Sequence, residues 1–139
     1  MRRLSDIVYY QDPLILVQTT TVKIACQRMK ERRVGSVLVV NDHGALVGIF
    51  TGRDAVERVL ALGKSASRTL LTQVMTPNPD TMAPDKTAID ALRIMWDGGF
   101  RHVPIVRDGR VLGVVSRGDF KSDERKRLDE ERELWEHMR

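Results

Sequence analysis

The sequence predicts an α/β (α+β) protein built from two copies of one β-α-β-β-α unit, and three observations predict it. The chain repeats itself: Thr21-Val22 with Ala25-Cys26-Gln27-Arg28-Met29 answers Thr87-Ala88 with Ala91-Leu92-Arg93-Ile94-Met95, an offset of 66 (87 minus 21). GIFTGRD at Gly48 to Asp54 then returns as GVVSRGD at Gly113 to Asp119, at an offset of 65 (113 minus 48). Within each copy the apolar period changes from helical to strand-like in the same order. Finally, the tight loop NDHG separates two β-branched runs, VGSVLVV and ALVGIFT, as a hairpin requires, and FRHVPIVRD with RVLGVVS repeats that order.

Taken in order, LSDIV at Leu4 is a lead-in that corresponds to LTQVM at Leu71. Leu14 to Val17 is a short apolar run that reads as a strand. The threonines before Val22 suit a helix cap, and Val22, Ala25, Cys26 and Met29 then fall on one helical face. DAVERVLALG has helical apolar spacing and stops at Gly63. KSASRTLLTQVMTPNPD is a connector whose Pro77 and Pro79 impose an extended chain. The second copy repeats the order through ALRIMWDGG and its two strands. KSDERKRLDEERELWEHMR predicts a final helix with Leu128, Trp135 and Met138 on one face, suited to a solvated end or to packing on another protomer. The expected organisation is a first repeat with its lead-in over 1–66, a second repeat over 67–121 and a charged C-terminal helix over 122–139. One such unit buries too little surface to stand alone comfortably, so the two copies are expected to pack together.

Composition limits the function. The 139 residues are 42% hydrophobic, ordinary for a soluble protein, and no apolar run approaches bilayer length. MRRLSDIVYYQD lacks the apolar stretch of a signal peptide, so the expected location is cytoplasmic. Cys26 is the single cysteine, which excludes an intrachain disulfide and a thiol-only metal cage, and it reads as a small apolar helix residue. His43, His102 and His137 are too dispersed for a zinc set; His43 reads as a turn residue and His137 as a tail residue. The net charge of +4 suits phosphate-bearing ligands. Scattered arginines, 5% aromatic residues and seven acidic residues after Ser122 argue against a nucleic-acid groove. The chain has no G-x-S-x-G elbow, no Gly-rich phosphate loop with its lysine and no metal-ligand spacing, so neither an enzyme nor a catalytic cofactor is expected.

The repeated heptad carries the sharpest chemistry. Thr51 with Asp54, and Ser116 with Asp119, place a hydroxyl and a carboxylate three residues apart where a strand gives way to a helix. An ionised carboxylate only accepts hydrogen bonds, so it suits both hydroxyls of a ribose. The free amides and helix dipole there favour an anion, and Arg53 and Arg117 add cations. The same spacing is also the capping box, which needs no ligand, and a carboxylate has acceptor capacity for both roles.

The chain resembles a tandem pair of CBS domains, a Bateman module, over about residues 4 to 121. MTPNP, T-x-x-x-A-x-x-x-M, VPIVRDG, LVGIFTGRD and VLGVVSRGD in this order carry the likeness. The resemblance implies two repeats packed with pseudo-two-fold symmetry, and a stand-alone regulatory module that binds an adenosine ligand: AMP first, or ADP, ATP or S-adenosylmethionine. It also implies a homodimer forming a four-repeat disc, and an effector protein that the sequence does not name. A dimerisation module without ligand and a nucleic-acid-binding regulator are the alternatives. Carried over by position, one ligand site would combine Thr51, Arg53 and Asp54 with Asp80, Thr81, Met82, Arg101 and His102. The other would combine Ser116, Arg117 and Asp119 with Leu14, Ile15, Val17, Gly35 and Ser36. Gly35-Ser36 departs from the pattern, since it offers no charge where the other repeat has Arg101-His102. His102 reads equally as a surface histidine before a buried strand. Met75, Met95 and Trp96 read as core or interface, and Pro104 as a residue shaping a strand entrance.

Overall fold

The computed structural model of the chain describes residues 1–137; Met138, expected on the apolar face of the last helix, lies outside them. The fold divides into two compact units that do not follow the sequence repeats. One, here the Asp54 unit, comprises Asp12–Asp80 and Asp108–Val111. The other, the Asp119 unit, takes Met1–Gln11, Thr81–Arg107 and the chain from Leu112 onward.

In the Asp54 unit, β1 (Ile15–Val17) runs parallel to β2 (Ser36–Val40), with α2 (Val22–Arg32) as the crossover. The Thr21 hydroxyl caps α2 by accepting from Ile24 N at 3.3 Å, and Val22, Ala25 and Met29 face the core. Cys26 is half-buried on the same side, and burial pushes its thiol pKa up. The helix stops where Arg33 takes a left-handed φ of 54°. β2 turns back into β3 (Leu46–Thr51) through Asn41, whose Oδ1 accepts from His43 N and Ala45 N at 2.9 and 3.0 Å. The two-residue β4 (Thr76–Pro77) completes the sheet order β1-β2-β3-β4. Pro77 has no N–H to give, and the sheet edge tolerates it.

Two sequence expectations need correction here. The chain around Pro77 and Pro79 is not continuously extended, because Asn78 adopts a left-handed φ of 48° and its N–H donates to Val47 O at 3.1 Å. The helix after β3 is not a regular α-helix either. A single turn, α3 (Gly52–Asp54), widens into a π-helical segment at Ala55–Leu60, where Ala61 N donates to Val56 O five residues back. Val59 is buried by this winding, while Val56 and Leu60 stay 57% and 70% exposed.

β5 (His102–Arg107), in the Asp119 unit, pairs with β6 (Arg110–Ser116), which belongs to that unit from Leu112. Asp108 and Gly109 take φ of 50° and 77°, the consecutive left-handed residues that a tight hairpin turn prefers. The opening strand that the β-α-β-β-α order calls for in the second copy is reduced to one parallel bridge, Met82 to Ile105, with Met82 N donating to Pro104 O at 3.1 Å. Pro104 is buried within β5 rather than standing at its entrance. α5 (Ala88–Gly98) buries Ala88, Ile89, Ala91, Leu92 and Met95, and the Thr87 cap is returned by Asp90. That hydrogen bond from the Thr87 backbone, with the Arg93 guanidinium adding to it, holds the Asp90 carboxyl below its ordinary pKa.

The last helix, α6 (Ser122–His137), begins with Glu124 accepting from Lys121 N at 2.8 Å. Arg2 grips the same carboxylate through both Nε and Nη2, at 3.2 and 2.6 Å. Leu128 is buried, whereas Trp135 and Leu134 are exposed. Arg132 lies 4.0 Å over the exposed Trp96 ring. Among the described residues no helix is long and apolar enough to cross a membrane.

The unit boundaries show that the lead-ins are exchanged. α1 (Leu4–Val8) puts Leu4 and Val8 into one core with Met82, Ala91, Met95, Val103, Ile105 and Val115 of the second repeat. α4 (Leu71–Val74) puts Leu71 and Val74, with Met75 behind them, into one core with Val22, Val37, Val39 and Phe50 of the first. The backbone repeats this: Leu4 N donates to Lys86 O and Leu71 N to Thr20 O, both at 2.9 Å.

Candidate functional site

Each repeated heptad ends a strand and starts a helical turn, and in each the first glycine answers a packing need. An added Cβ at Gly48 would run into the Met75 side chain, and one at Gly113 would come within 2.8 Å of Val8 Cβ and 2.6 Å of Gln11 Oε1. Both glycines therefore make room for an exchanged lead-in. The sequence reading missed this role; its signal was the lead-in correspondence itself.

In the Asp54 unit, Ser36 pairs with Thr51, and Gly52 N donates to Gly35 O at 3.4 Å, so Gly35 and Ser36 lie beside the tetrad. β1 lies across β2, with Leu14 O accepting from Leu38 N at 2.9 Å; Leu14 is buried while Ile15 and Val17 are exposed. Asp54 is buried, with 10% of its side chain exposed. Its Oδ2 accepts from Thr51 N at 3.0 Å and from Thr51 Oγ1 at 3.3 Å. Its Oδ1 accepts from Thr76 Oγ1 at 3.3 Å and faces Arg58 Nε at 3.5 Å. Arg58 also donates to Met75 O at 3.0 Å, which clamps the lead-in. Arg53 turns outward and pairs with Glu57 at 3.1 Å. Asp80 is exposed at the end of the unit.

In the Asp119 unit, Arg117 N donates to Arg101 O at 3.2 Å, which brings the Arg101-His102 backbone beside the second tetrad. Asp119 Oδ2 accepts from Ser116 N at 2.7 Å and Ser116 Oγ at 3.2 Å. The Arg117 guanidinium reaches back to Met95 O at 3.3 Å, and Arg2 Nη2 donates to Asp119 O at 2.8 Å. Arg101 and Thr81 are exposed, His102 is half-buried and Met82 is buried. The sequence reading joined each tetrad to strand starts of the opposite unit; what each unit assembles by itself is a tetrad beside its own strand starts.

Both tetrads thus carry capping hydrogen bonds, and both hold a carboxylate and a hydroxyl at a strand end. Among the described residues no three His, Cys, Asp or Glu side chains gather as a metal set would require.

A repeated unit with exchanged lead-ins and a hydroxyl-carboxylate tetrad at each strand-to-helix junction is a recognisable class of paired module. The CBS domain family profile matches residues 4–61 and 71–123, and the chain belongs to that family. A CBS domain-containing protein of Arabidopsis thaliana, CBSCBSPB2, is 42% identical over 102 residues, which are 73% of this chain and 19% of that protein. This chain therefore spans about a fifth of that relative's length. Among solved structures, an uncharacterised conserved protein from Pyrococcus horikoshii aligns with a TM-score of 0.75 at 30% identity, covering 86% of this chain and 91% of that one. A CBS domain protein from Pyrobaculum aerophilum, complexed with AMP, aligns with a TM-score of 0.82 at 22% identity, covering 91% and 98%.

Proposed function

We propose that this CBS pair is a regulatory sensor that binds an adenosine-containing ligand through its strand-end tetrads. The observation that carries the reading is the Asp119 unit's own arrangement: a carboxylate with acceptor capacity to spare, beside Arg101, His102 and Arg117 on adjoining strand ends. Such a set suits a ribose diol and a nearby phosphate. AMP is the first ligand to test, because a protein of this fold is complexed with it. The ligand stabilises the state it prefers, by an amount set by its differential affinity, and so passes a signal to an effector. The reading includes a homodimer, supported by the exposed Trp96, Leu134 and Trp135 and tested by light scattering after size exclusion.

The alternative, a dimerisation module without ligand, draws on the capping hydrogen bonds at both tetrads. A thermal-shift titration with AMP, ADP, ATP, S-adenosylmethionine and GMP separates the two. A dose-dependent rise in Tm with one adenosine compound and none with GMP supports the sensor. No rise with any of them leaves the structural reading standing.

A further inference from the structure

We propose that the two tetrads have divided roles. Asp119 receives the ribose diol, and Asp54 is a structural tie that fastens the exchanged lead-in to the end of β3 through Thr76 and Arg58. The first half rests on the sensor reading above; the second does not.

A carboxylate offers about four lone-pair sites. Asp54 has three of them hydrogen-bonded within its own unit, Thr51 N and Oγ1 on Oδ2 and Thr76 Oγ1 on Oδ1, and the Arg58 guanidinium faces Oδ1 as an ion pair with Nε at 3.5 Å. A diol reaching Asp54 has to displace one of these partners from a side chain that is 10% exposed. Asp119 is half-buried, and only its Oδ2 is engaged, by Ser116 N and Oγ. Among the described residues its Oδ1 has no hydrogen bond or ion pair, so two acceptor sites remain for two hydroxyls.

The difference is written in the sequence. The helical winding runs on through Asp54 and brings Arg58, four residues later, to its carboxylate, whereas after Asp119 the chain leaves the helical turn at the extended Phe120, and position 123 carries an aspartate in place of the arginine. In the lead-ins, LTQVMT against LSDIVY puts Tyr9 where the other copy has Thr76, and Tyr9 is 75% exposed. Both partners that occupy Asp54 Oδ1 are therefore replaced in the other repeat by residues that leave Asp119 Oδ1 open.

The test uses the full chain, with calorimetric titration of AMP and a melting curve for wild type, Asp119→Asn, Asp54→Asn and Thr76→Val. Asp119→Asn is expected to weaken AMP about tenfold or more, the effect of losing a charge-assisted acceptor, with little change in Tm. Asp54→Asn and Thr76→Val are expected to lower Tm by about 3 °C or more without ligand. Should Asp54→Asn fail to fold, Thr76→Val still reads the tie. Asp54→Asn weakening AMP tenfold at unchanged Tm, or Asp119→Asn binding AMP as tightly as wild type, overturns the division. A wild-type chain that binds none of AMP, ADP, ATP and S-adenosylmethionine overturns the sensor reading and the role of Asp119 with it, while the Tm of Thr76→Val still decides the tie.

Discussion

Gly48 to Asp54 and Gly113 to Asp119 share a pattern, a position in the repeat and a strand-to-helix junction, yet their carboxylates meet different surroundings. Asp54 is enclosed by Thr51, Thr76 and Arg58, while Asp119 keeps one oxygen open. The glycines differ less: each makes way for a lead-in that comes from the other repeat. A motif thus sets a local backbone, and residues elsewhere in the chain decide what its side chains are free to do. Arg58 and Thr76, neither of them in the heptad, set the two copies apart.

The largest test of the comparison is on the lead-ins. Leu4→Ala and Leu71→Ala each empty a fully buried leucine site and should cost about 2–5 kcal/mol. Their local signatures should cross over in hydrogen exchange. Leu4→Ala, in the first repeat by sequence, is expected to loosen the amides of Val103, Ile105 and Val115; Leu71→Ala should loosen those of Val37 to Val39. Loosening confined to each residue's own sequence repeat would contradict the exchange.

Next come the glycines. Gly113→Ala and Gly48→Ala both overpack, at a typical cost of about 1–3 kcal/mol. Gly113→Ala should be the worse, because the new methyl comes within 2.8 Å of the Cβ of β-branched Val8, whereas at Gly48 the contacts under 3.0 Å are with the flexible Met75 side chain and the Thr76 carbonyl oxygen stands at 3.0 Å. Urea midpoints of the two variants give the order directly; equal midpoints would mean the Val8 side moves as freely as Met75.

A smaller effect should follow pH. Burial pushes the Glu124 carboxyl up, but the Arg2 hydrogen bond, the Lys121 N–H and their charges outweigh it and hold its pKa below the ordinary value. A carboxylate lowered on folding contributes stability that is fully present above its unfolded pKa and lost as pH falls through its folded pKa. Asp90 has the same sign. The urea midpoint should therefore drop on acidification below the usual carboxylate range, and Glu124→Gln should flatten part of that drop. An equally steep drop in Glu124→Gln would remove the Arg2–Glu124 pair from the account.

The smallest effect belongs to Glu131→Gln, which removes an ion pair with Arg93 whose side chains are 42% and 39% exposed. Exposure limits such a pair to about 0.2–1 kcal/mol, and added salt should reduce the difference further.

Much of the fold was legible because the repeats and their periods are local facts. Thr21 and Thr87 cap helices where the pattern placed them, and β2 with β3 and β5 with β6 form the expected hairpins. The exchange of lead-ins was not legible, since LSDIV and LTQVM look alike and apolar spacing does not say which core receives them. The π-helical winding after Asp54 was hidden for a similar reason: AVERVL satisfies α and π spacing alike. The short strand near Met82 was lost because Met82 makes a single bridge to Ile105. At the tetrads the sequence supplied the residues and their capping geometry, but the engagement of Asp54 Oδ1 depends on Thr76, 22 residues away.

The most direct test of the central claim is the stoichiometry of AMP per chain, measured by equilibrium dialysis at saturating ligand. The account predicts one AMP per chain, reached in Asp119→Asn only at about tenfold higher AMP or more. Two equivalent AMP molecules per chain, one of them lost in Asp54→Asn, would contradict it and make the two tetrads functional equals.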